Sequence, residues 1–253
     1  MVDSHAGQRP TVALVIPCYN EALRLNLRAF VEARPEGCQL RFVMVDDGSR
    51  DRTRAVLEEI RTQRPDTVVV AYDDNAGKAE AVRRGLVRAL ESSVDFVGYW
   101  DADLATPLEE VPRFVDVLQR RPVVGCVLGA RVQLLGRHIR RHQWRHYLGR
   151  VFAMAASVTL DLPVYDTQCG AKMLRGSREL AAAVSTPFLS SWIFDVELIA
   201  RLRDASRSSG IHWNDFFYEL PLRRWTDVQG SKLRPRDLFR VALDLRRIWI
   251  RYR

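Results

Sequence analysis

Two aspartates close an apolar run in the sequence Phe96-Val-Gly-Tyr-Trp-Asp-Ala-Asp103. Such a run is typical of a buried strand, and the carboxyl end of a strand is where open α/β sheets bind ligands. Because side chains alternate along a strand, we expect Asp101 and Asp103 to point the same way. Two facing carboxylates repel each other unless a hard divalent cation with phosphate ligands neutralises them. A lone Asp-x-Asp is more often a turn in which Asp103 caps a helix, so the cation site needs further support.

Polar or acidic loops also follow the three preceding apolar runs of the chain. They are Pro17-Cys-Tyr-Asn-Glu21, Asp46-Asp-Gly-Ser49 and Asp73-Asp-Asn-Ala-Gly-Lys78. Each loop alone is readily explained as a turn or a helix cap. Four such loops in succession, all expected at one edge of a sheet, favour a ligand site instead.

The elements that must position these loops alternate between short apolar runs and amphipathic stretches. The predicted strands are Thr11–Ile16, Leu40–Val45, Val68–Tyr72, Phe96–Trp100 and Val123–Leu128. The predicted helices are Glu21–Ala33, Arg52–Gln63, Lys78–Ser92 and Leu108–Arg120. Strands spaced by helices of this length predict an α/β protein with right-handed crossovers and a mostly parallel sheet. The pattern becomes less regular after Ala130.

Arginine is the default cation of this chain, which carries 36 arginines, three lysines and a net charge of +8. The lysines are Lys78, Lys172 and Lys232, and each follows a glycine within two residues. Backbone at a glycine can approach a ligand closely, and a compact ammonium binds differently from a planar guanidinium. This placement suggests ligand contacts, with chance as the alternative.

The four cysteines, Cys18, Cys38, Cys126 and Cys169, are scattered without a Cys-x-x-Cys pair. Neither a zinc site nor a disulfide framework is indicated, and a reducing compartment is expected. The N-terminus shows no signal-peptide pattern. The longest uncharged run of the second half, Val151–Leu160, is far shorter than the roughly 20 apolar residues of a membrane span. We therefore expect a cytoplasmic protein that does not cross a bilayer.

Several motifs together resemble the family-2 glycosyltransferases, inverting enzymes with the GT-A fold. They are Pro17-x-Tyr-Asn-Glu21, Asp46-Asp-Gly-Ser49, Asn75-x-Gly-Lys78 and Asp101-x-Asp103. The later motifs are most similar to the dolichyl- and polyprenyl-phosphate β-glucosyltransferases: Asp166-Thr-Gln-Cys-Gly170, Trp192-Ile-Phe-Asp-Val-Glu-Leu198 and Trp225-Thr-Asp-Val-Gln-Gly-Ser-Lys-Leu233. The resemblance covers about residues 11–250. Residues 131–150 do not match, and the N-terminal membrane segment usual in eukaryotic members is not found.

The resemblance implies a single domain, 1–253, with a nucleotide-sugar-binding half, 11–130, and an acceptor-side half, 131–253. The reaction it implies is metal-dependent transfer of a hexose, glucose from UDP-glucose, to a polyprenyl or dolichyl phosphate. GDP-mannose as the donor, and a soluble metabolite or peptide as the acceptor, are the alternatives. The nucleotide-sugar ligands it implies are Pro17, Tyr19, Glu21, Asp46, Lys78, Asp101, Ala102 and Asp103. Asp103 and Asp101 would hold Mg²⁺ or Mn²⁺, and Asp103 and Asp195 are the expected catalytic residues.

Asp195 occupies the place where many relatives have a general base, although an acidic residue in the first turn of a helix also complements its dipole. A lipid phosphate is already anionic and needs only cationic positioning, whereas a hydroxyl acceptor needs a base. Glu197 and Asp166 are expected to have structural roles, and Asp166 to order the acceptor loop.

The expected acceptor side is strongly cationic, with six arginines, three histidines and no acidic residue from Arg131 to Arg150. Arginines and histidines recur every four residues, at Arg137, Arg141 and Arg145 and at His138, His142 and His146. This spacing predicts a cationic helix that suits a membrane surface and a lipid phosphate. Arg131, Arg141, Arg145 and Lys232 are the expected acceptor-phosphate ligands. The amphipathic stretch Arg234–Arg253 either repeats this theme or packs on the core.

Other functions fit less well. A sugar nucleotidyltransferase would carry a Gly-rich, basic N-terminal loop, which is missing. Nucleic-acid binding would explain the arginine excess but not four acidic strand ends, so no nucleic acid is expected. A catalytically inactive sugar-nucleotide binder and self-association as a homo-oligomer both stay open. The expected location is cytoplasmic, with peripheral attachment to the cytoplasmic membrane face.

Overall fold

The computed structural model describes residues 9–136, 138–140, 152, 154–226 and 235–253. Within these ranges a seven-stranded sheet has the order β3-β2-β1-β4-β7-β5-β8, and a two-stranded sheet pairs β6 with β9. The strands are β1 Thr11–Cys18, β2 Gln39–Asp47, β3 Val68–Tyr72, β4 Phe96–Trp100, β5 Cys126–Ala130, β6 His138–Arg140, β7 Ala171–Arg175, β8 Phe217–Pro221 and β9 Arg224–Thr226. In the large sheet only β7 runs antiparallel to its neighbours, β4 and β5.

Helices cover both sides of the large sheet. They are α1 Leu27–Glu32, α2 Thr53–Gln63, α3 Lys78–Leu90, α4 Val111–Arg120, α5 154–160, α6 Arg178–Val184, α7 Phe194–Ser208, α8 Trp213–Phe216 and α9 Pro235–Tyr252. A 3₁₀ turn, Leu108–Glu110, leads into α4. No helix in the described part of the chain is long and apolar enough to cross a membrane.

The core forms two layers because alternate side chains of each strand enter opposite faces. Leu14 of β1 packs in the layer that contains α1, α2 and α4, and Val15 packs in the layer that contains α3, α6 and α7. All four cysteines are buried with free thiols. The prediction of an α/β protein with a mostly parallel sheet is confirmed.

The first four predicted strands and the helices α2 and α3 lie within two residues of their predicted bounds. The prediction of a helix over Glu21–Ala33 is wrong in its first half, because α1 begins only at Leu27, after Asn26 caps the Ala29 amide. The preceding backbone is instead tied to the start of α2, since Glu21 N donates to Thr53 Oγ1 over 2.8 Å. The residues before β5 form a turn after α4, so this strand begins at Cys126, later than predicted.

The prediction of a cationic helix through residues 137–146 is wrong where the structure describes it. His138–Arg140 form strand β6, which pairs in parallel with β9, so that Ile139 lies opposite Trp225. Ladder hydrogen bonds to β9 are long-range, and the four-residue charge spacing carries no sign of them. Arg137, Arg141, Arg145 and Lys232, together with His142 and His146, lie outside the described residues.

Candidate active site

The carboxyl ends of four neighbouring strands meet at one edge of the large sheet. Strands β1, β2, β3 and β4 are parallel, so the loops that follow them lie side by side. These are the four polar loops of the sequence, and the structure brings them together as expected. The site is therefore built on the end of a rigid sheet.

Asp101 follows β4 directly and is fixed by strand β7. Its backbone N–H donates to Gly170 O over 2.9 Å, and its carboxylate accepts from Lys78 Nζ over 2.5 Å. A Cβ atom added to Gly170 would overlap the Asp101 carboxylate. The glycine at position 170 thus leaves the space that the Asp101 side chain occupies, and a larger residue would displace this carboxylate.

Lys78 reaches Asp101 because a buried carboxylate shapes the loop before it. Asp47 Oδ2 accepts from Gly77 N over 2.7 Å and from Asn75 Nδ2 over 3.0 Å, and its Oδ1 accepts from Ala76 N over 3.0 Å. Gly77 has a φ of +91°, which glycine adopts without strain. Desolvation opposes the charge of Lys78, but the nearby carboxylates of Asp101 and Asp195 outweigh it and raise the lysine pKa. Asp47 is a positioning residue that the sequence analysis did not single out.

Asp103 and Glu21 add negative charge beside Asp101. Desolvation and then the Asp101 charge raise the pKa of Asp103, whose Oδ1 accepts from Ala105 N over 3.0 Å. Burial raises the pKa of Glu21, with Asp101 and Asp103 contributing in the same direction. Glu21 Oε1 accepts from Arg24 Nη2 over 2.5 Å, whereas its buried Oε2 has no hydrogen-bond partner. The cleft therefore holds unbalanced negative charge and an acceptor oxygen that is available to a ligand.

The other predicted nucleotide ligands line the same edge. Tyr19 is exposed at the end of β1, where Pro17 also lies, and Ala102 is buried between the two aspartates. Asp46 is buried, and its Oδ1 accepts from Ser49 N over 3.1 Å. A ligand contact of Asp46 therefore stays a prediction, while its role in shaping the β2 loop is visible.

These carboxylates suit a divalent cation only if a bound substrate supplies further ligands. Among the described residues there is no group of three or more His, Cys, Asp or Glu side chains that could hold a metal ion. Asp101 and Asp103 offer hard carboxylate oxygens. Mg²⁺ commonly combines one or two carboxylates with substrate phosphates. The residues present thus suit a cation that is shared with a diphosphate.

A second Asp–Lys pair lies buried on the same face of the sheet. Lys172 of β7 pairs with Tyr99 of β4 in register, and its Nζ donates to Asp195 Oδ1 over 2.6 Å and to Cys169 O over 2.8 Å. The Tyr99 hydroxyl donates to the same carboxylate oxygen. Burial raises the pKa of Asp195 and lowers the pKa of Lys172. The predicted general base, Asp195, is therefore a buried carboxylate that accepts two hydrogen bonds. Lys172 is buried beneath the cleft.

Arg131 is the one predicted acceptor ligand that the structure describes. Its Nε and Nη2 donate to the two carboxylate oxygens of Asp166, each over 2.7 Å, and its guanidinium lies 5.3 Å from the Trp225 ring centroid. Desolvation opposes the charge, but Asp166 overcomes it and raises the arginine pKa. Asp166 thus orders this loop, as expected, and acceptor binding by Arg131 stays a prediction.

Comparison with known proteins shows which family this sequence matches. Residues 13–178 match the family model described as glycosyl transferase family 2. A dolichyl-phosphate β-glucosyltransferase of Trichomonas vaginalis is 28% identical over 94% of this chain and 71% of its own length. The Drosophila melanogaster dolichyl-phosphate β-glucosyltransferase is 29% identical over 95% of this chain and 75% of its own length.

Other proteins match a smaller part of the sequence or share only the fold. An undecaprenyl-phosphate 4-deoxy-4-formamido-L-arabinose transferase of Pseudomonas paraeruginosa is 34% identical over 66% of this chain and 47% of its own length. Glucosyl-3-phosphoglycerate synthase of Mycobacterium tuberculosis, crystallised with Mn²⁺, UDP and glucosyl-3-phosphoglycerate, has a TM-score of 0.63 and 20% identity. That match covers 96% of this chain and 78% of the other, and it confirms the expected GT-A fold.

The Asp101–Gly170 contact predicts that Gly170→Ala weakens donor binding without unfolding the protein. The new methyl group displaces a short side chain and not backbone, so we expect stability to fall by only about 1 kcal/mol. UDP affinity in the presence of Mn²⁺, measured by calorimetry, should fall roughly tenfold or more because one carboxylate is misplaced. Gly210→Ala, just after α7, meets no atom within 4 Å but has a φ of +77° that strains any side chain, so it controls for a loss of stability without contact with Asp101. Unchanged UDP affinity in Gly170→Ala would contradict the prediction that Asp101 takes part in nucleotide-sugar binding.

The buried pair predicts strong coupling between Lys172 and Asp195. Lys172→Met and Asp195→Leu should each destabilise the protein by about 3 kcal/mol, because each leaves one charge buried without its partner. The double variant should lose less than the sum of the two. The same substitutions at the exposed pair Arg120 and Asp116 should cost under about 1 kcal/mol. Urea unfolding measures all six variants, and additive losses at Lys172 and Asp195 would refute the coupling.

Proposed function

The chain belongs to glycosyl transferase family 2, and we propose that it transfers a hexose from a nucleotide-diphosphate sugar to a polyprenyl or dolichyl phosphate. It is a glycosyltransferase by its family and by its relatives. The observation that carries the proposal is the carboxylate pair Asp101 and Asp103 at the end of β4, beside the Lys78 ammonium. Such a cleft attracts a divalent cation and a diphosphate together.

The donor half of the proposed site follows from the loops after β1, β2 and β3. Pro17, Tyr19, Glu21 and Asp46 would contact the base and ribose, and the partnerless Oε2 of Glu21 would accept from a ribose hydroxyl or a base N–H. Glucose is the sugar that the names of the relatives support best, and UDP is the carrier proposed for it. GDP-mannose is the second donor to test.

The cation and the Lys78 ammonium would together neutralise the diphosphate. Asp101, Ala102 and Asp103 would line the sugar diphosphate, and both aspartates would hold Mg²⁺ or Mn²⁺ with it. When bound, the cation supplies Lewis-acid stabilisation of the charge that develops on the leaving diphosphate. Lys78, which Asp47 fixes through the preceding loop, would contribute a preorganised positive charge at the same place. This electrostatic arrangement would provide most of the catalysis.

The acceptor proposed is a lipid phosphate, which attacks without a general base. A phosphate oxygen is already anionic near neutral pH, so proton removal is not required. Asp195 then need not act as a base. This agrees with its surroundings, since its side chain is buried and Lys172 and Tyr99 both donate to its Oδ1. Its proposed contribution is a negative charge in its deprotonated form that, with Asp101, favours the protonated form of Lys78 in the cleft. Arg131, and with it Arg141, Arg145 and Lys232, would bind the acceptor phosphate.

A soluble hydroxyl acceptor is the second candidate, because the raised pKa of Asp195 also suits a general base. The two candidates differ in their pH dependence. A base works only when deprotonated, so transfer to a hydroxyl would be lost as the pH falls through the raised pKa of Asp195. In Asp195→Asn, transfer to a hydroxyl would be lost at every pH, whereas transfer to a lipid phosphate would persist.

The proposal predicts cation-dependent labelling of a lipid. With Mg²⁺ or Mn²⁺, radiolabelled nucleotide sugars and a short polyprenyl phosphate in detergent, we expect label from UDP-glucose to enter the organic phase. Asp103→Asn should lower turnover by about a thousandfold, because a preorganised charge is removed, with an unchanged circular dichroism spectrum. Asp116→Asn, on the exposed side of α4, is the matched control.

Other results of this assay would redirect the proposal. Label from GDP-mannose alone would change the donor, and hydrolysis of UDP-glucose without lipid labelling would direct the search to soluble acceptors. Full activity of Asp103→Asn would contradict the cation site.

A further inference from the structure

Helix α9 carries apolar side chains on two opposite sides. One side packs on the core through Val241, Leu245, Ile248 and Tyr252. On the other side Leu243 is 40% exposed and Ile250 is 59% exposed. These two residues are seven positions apart, which places them two helical turns from each other on the same outward face. Core packing explains the first side of the helix and leaves the second unexplained.

Arginines flank the outward pair closely. Arg246 and Arg247 are exposed, and each is three or four residues from both Leu243 and Ile250, which makes them surface neighbours on the helix. The Arg253 guanidinium lies 4.6 Å from the centroid of the exposed Trp249 ring. The outward face of α9 is therefore both apolar and cationic.

Acidic charge is almost absent from this face. From Arg240 to Arg253 the chain has five arginines and one aspartate, Asp244. The Asp244 side chain is only 16% exposed, because it accepts from Ser190 Oγ over 2.7 Å and pairs with Arg247. The remaining four arginines of this segment have no acidic partner within it, which leaves a net positive surface.

The loop at residues 189–192 connects this face to the active site. Glu197 of α7 holds the loop through the Leu189 amide at 2.7 Å, and Ser190 bonds to α9 as described above. Leu189 and Trp192 in this loop are large apolar side chains that are exposed. Ser191 Cβ would lie 4.0 Å from a Cβ atom on Gly77, the residue before Lys78. The loop thus bonds to α9 and lies beside the segment that presents Lys78 to Asp101.

We propose that the outward face of α9, together with Leu189 and Trp192, is the surface that seats this protein on an anionic lipid bilayer. Arginines bind the anionic headgroups while Leu243, Ile250 and the two tryptophans enter the boundary between headgroups and acyl chains. The inference rests on the proposed function, because a membrane-anchored acceptor phosphate must meet the cleft beside Lys78. It adds the element that brings the cleft to the membrane.

Charge distinguishes a bilayer from a second copy of the chain. A two-fold symmetric contact through this face would place the arginines of one copy against those of the other. Headgroups of phosphatidylglycerol instead complement them, and the exposed leucine, isoleucine and tryptophans gain burial at the same time.

Vesicle co-sedimentation without any donor tests the proposal directly. Wild-type protein should pellet with vesicles of phosphatidylglycerol and phosphatidylcholine, and poorly with phosphatidylcholine alone. Arg246→Gln/Ile250→Gln should weaken the partition coefficient roughly tenfold or more, since one charge and one apolar anchor are lost. Arg120→Gln/Val123→Gln removes one arginine and one exposed β-branched residue at the end of α4, which packs in the other core layer from α9, and should bind like wild type. Leu243→Gln/Ile250→Gln keeps every arginine and should also weaken binding.

The outcomes separate this proposal from the proposed function. Equal pelleting of wild type and both α9 variants would overturn the surface, as would a wild-type dimer that Arg246→Gln/Ile250→Gln converts to a monomer. So would binding to an RNA homopolymer that the α9 variants lose while vesicle binding is unchanged. If wild type binds vesicles through α9 but labels no polyprenyl phosphate, the surface stands and the proposed function fails. If the α9 variants label a short polyprenyl phosphate in detergent normally but fail on vesicles, both stand.

Discussion

The pairing of strand β7 with β4 is the constraint on which the site depends. This register sets Lys172 opposite Tyr99, and the backbone of Gly170 bonds that of Asp101 just beyond the strand end. One strand thereby fixes a buried Asp–Lys pair and, above it, makes room for the carboxylate that pairs with Lys78. A buried ion pair is weak evidence for stability, because desolvation offsets much of its attraction. Its value here lies in the charge arrangement that it holds beneath the cleft.

Local sequence signals were sufficient for the parts of the site that follow apolar strands. Asp101, Asp103 and Lys78 lie where hydrophobic patterning and the strand-end rule place them. The buried contacts could not be predicted in this way, because they join residues far apart in the chain. Asp195 is 96 residues from Tyr99, and strand β7 contains Lys172 and Arg175, so it lacks an apolar run. Nothing local distinguished Asp47, which organises the Lys78 loop, from its neighbour Asp46.

The acceptor side shows how charge spacing can mislead. Arginines every four residues suggested a helix, yet His138–Arg140 pair with β9 in a small second sheet. Spacing records only local neighbours, whereas a strand obtains its hydrogen bonds from a distant partner. The two alternatives for the amphipathic stretch Arg234–Arg253 both apply to α9, whose inward side packs on the core and whose outward side carries exposed apolar residues among arginines.

In the proposed site, protein and donor each supply part of the ligands of one cation. The most direct measurement is a titration of Mn²⁺ followed by electron paramagnetic resonance, with and without UDP. We expect weak Mn²⁺ binding to the protein alone, and binding at least about a hundredfold tighter once UDP contributes its phosphate oxygens. Stoichiometric Mn²⁺ binding without UDP, or UDP binding that is equally tight in EDTA, would contradict it.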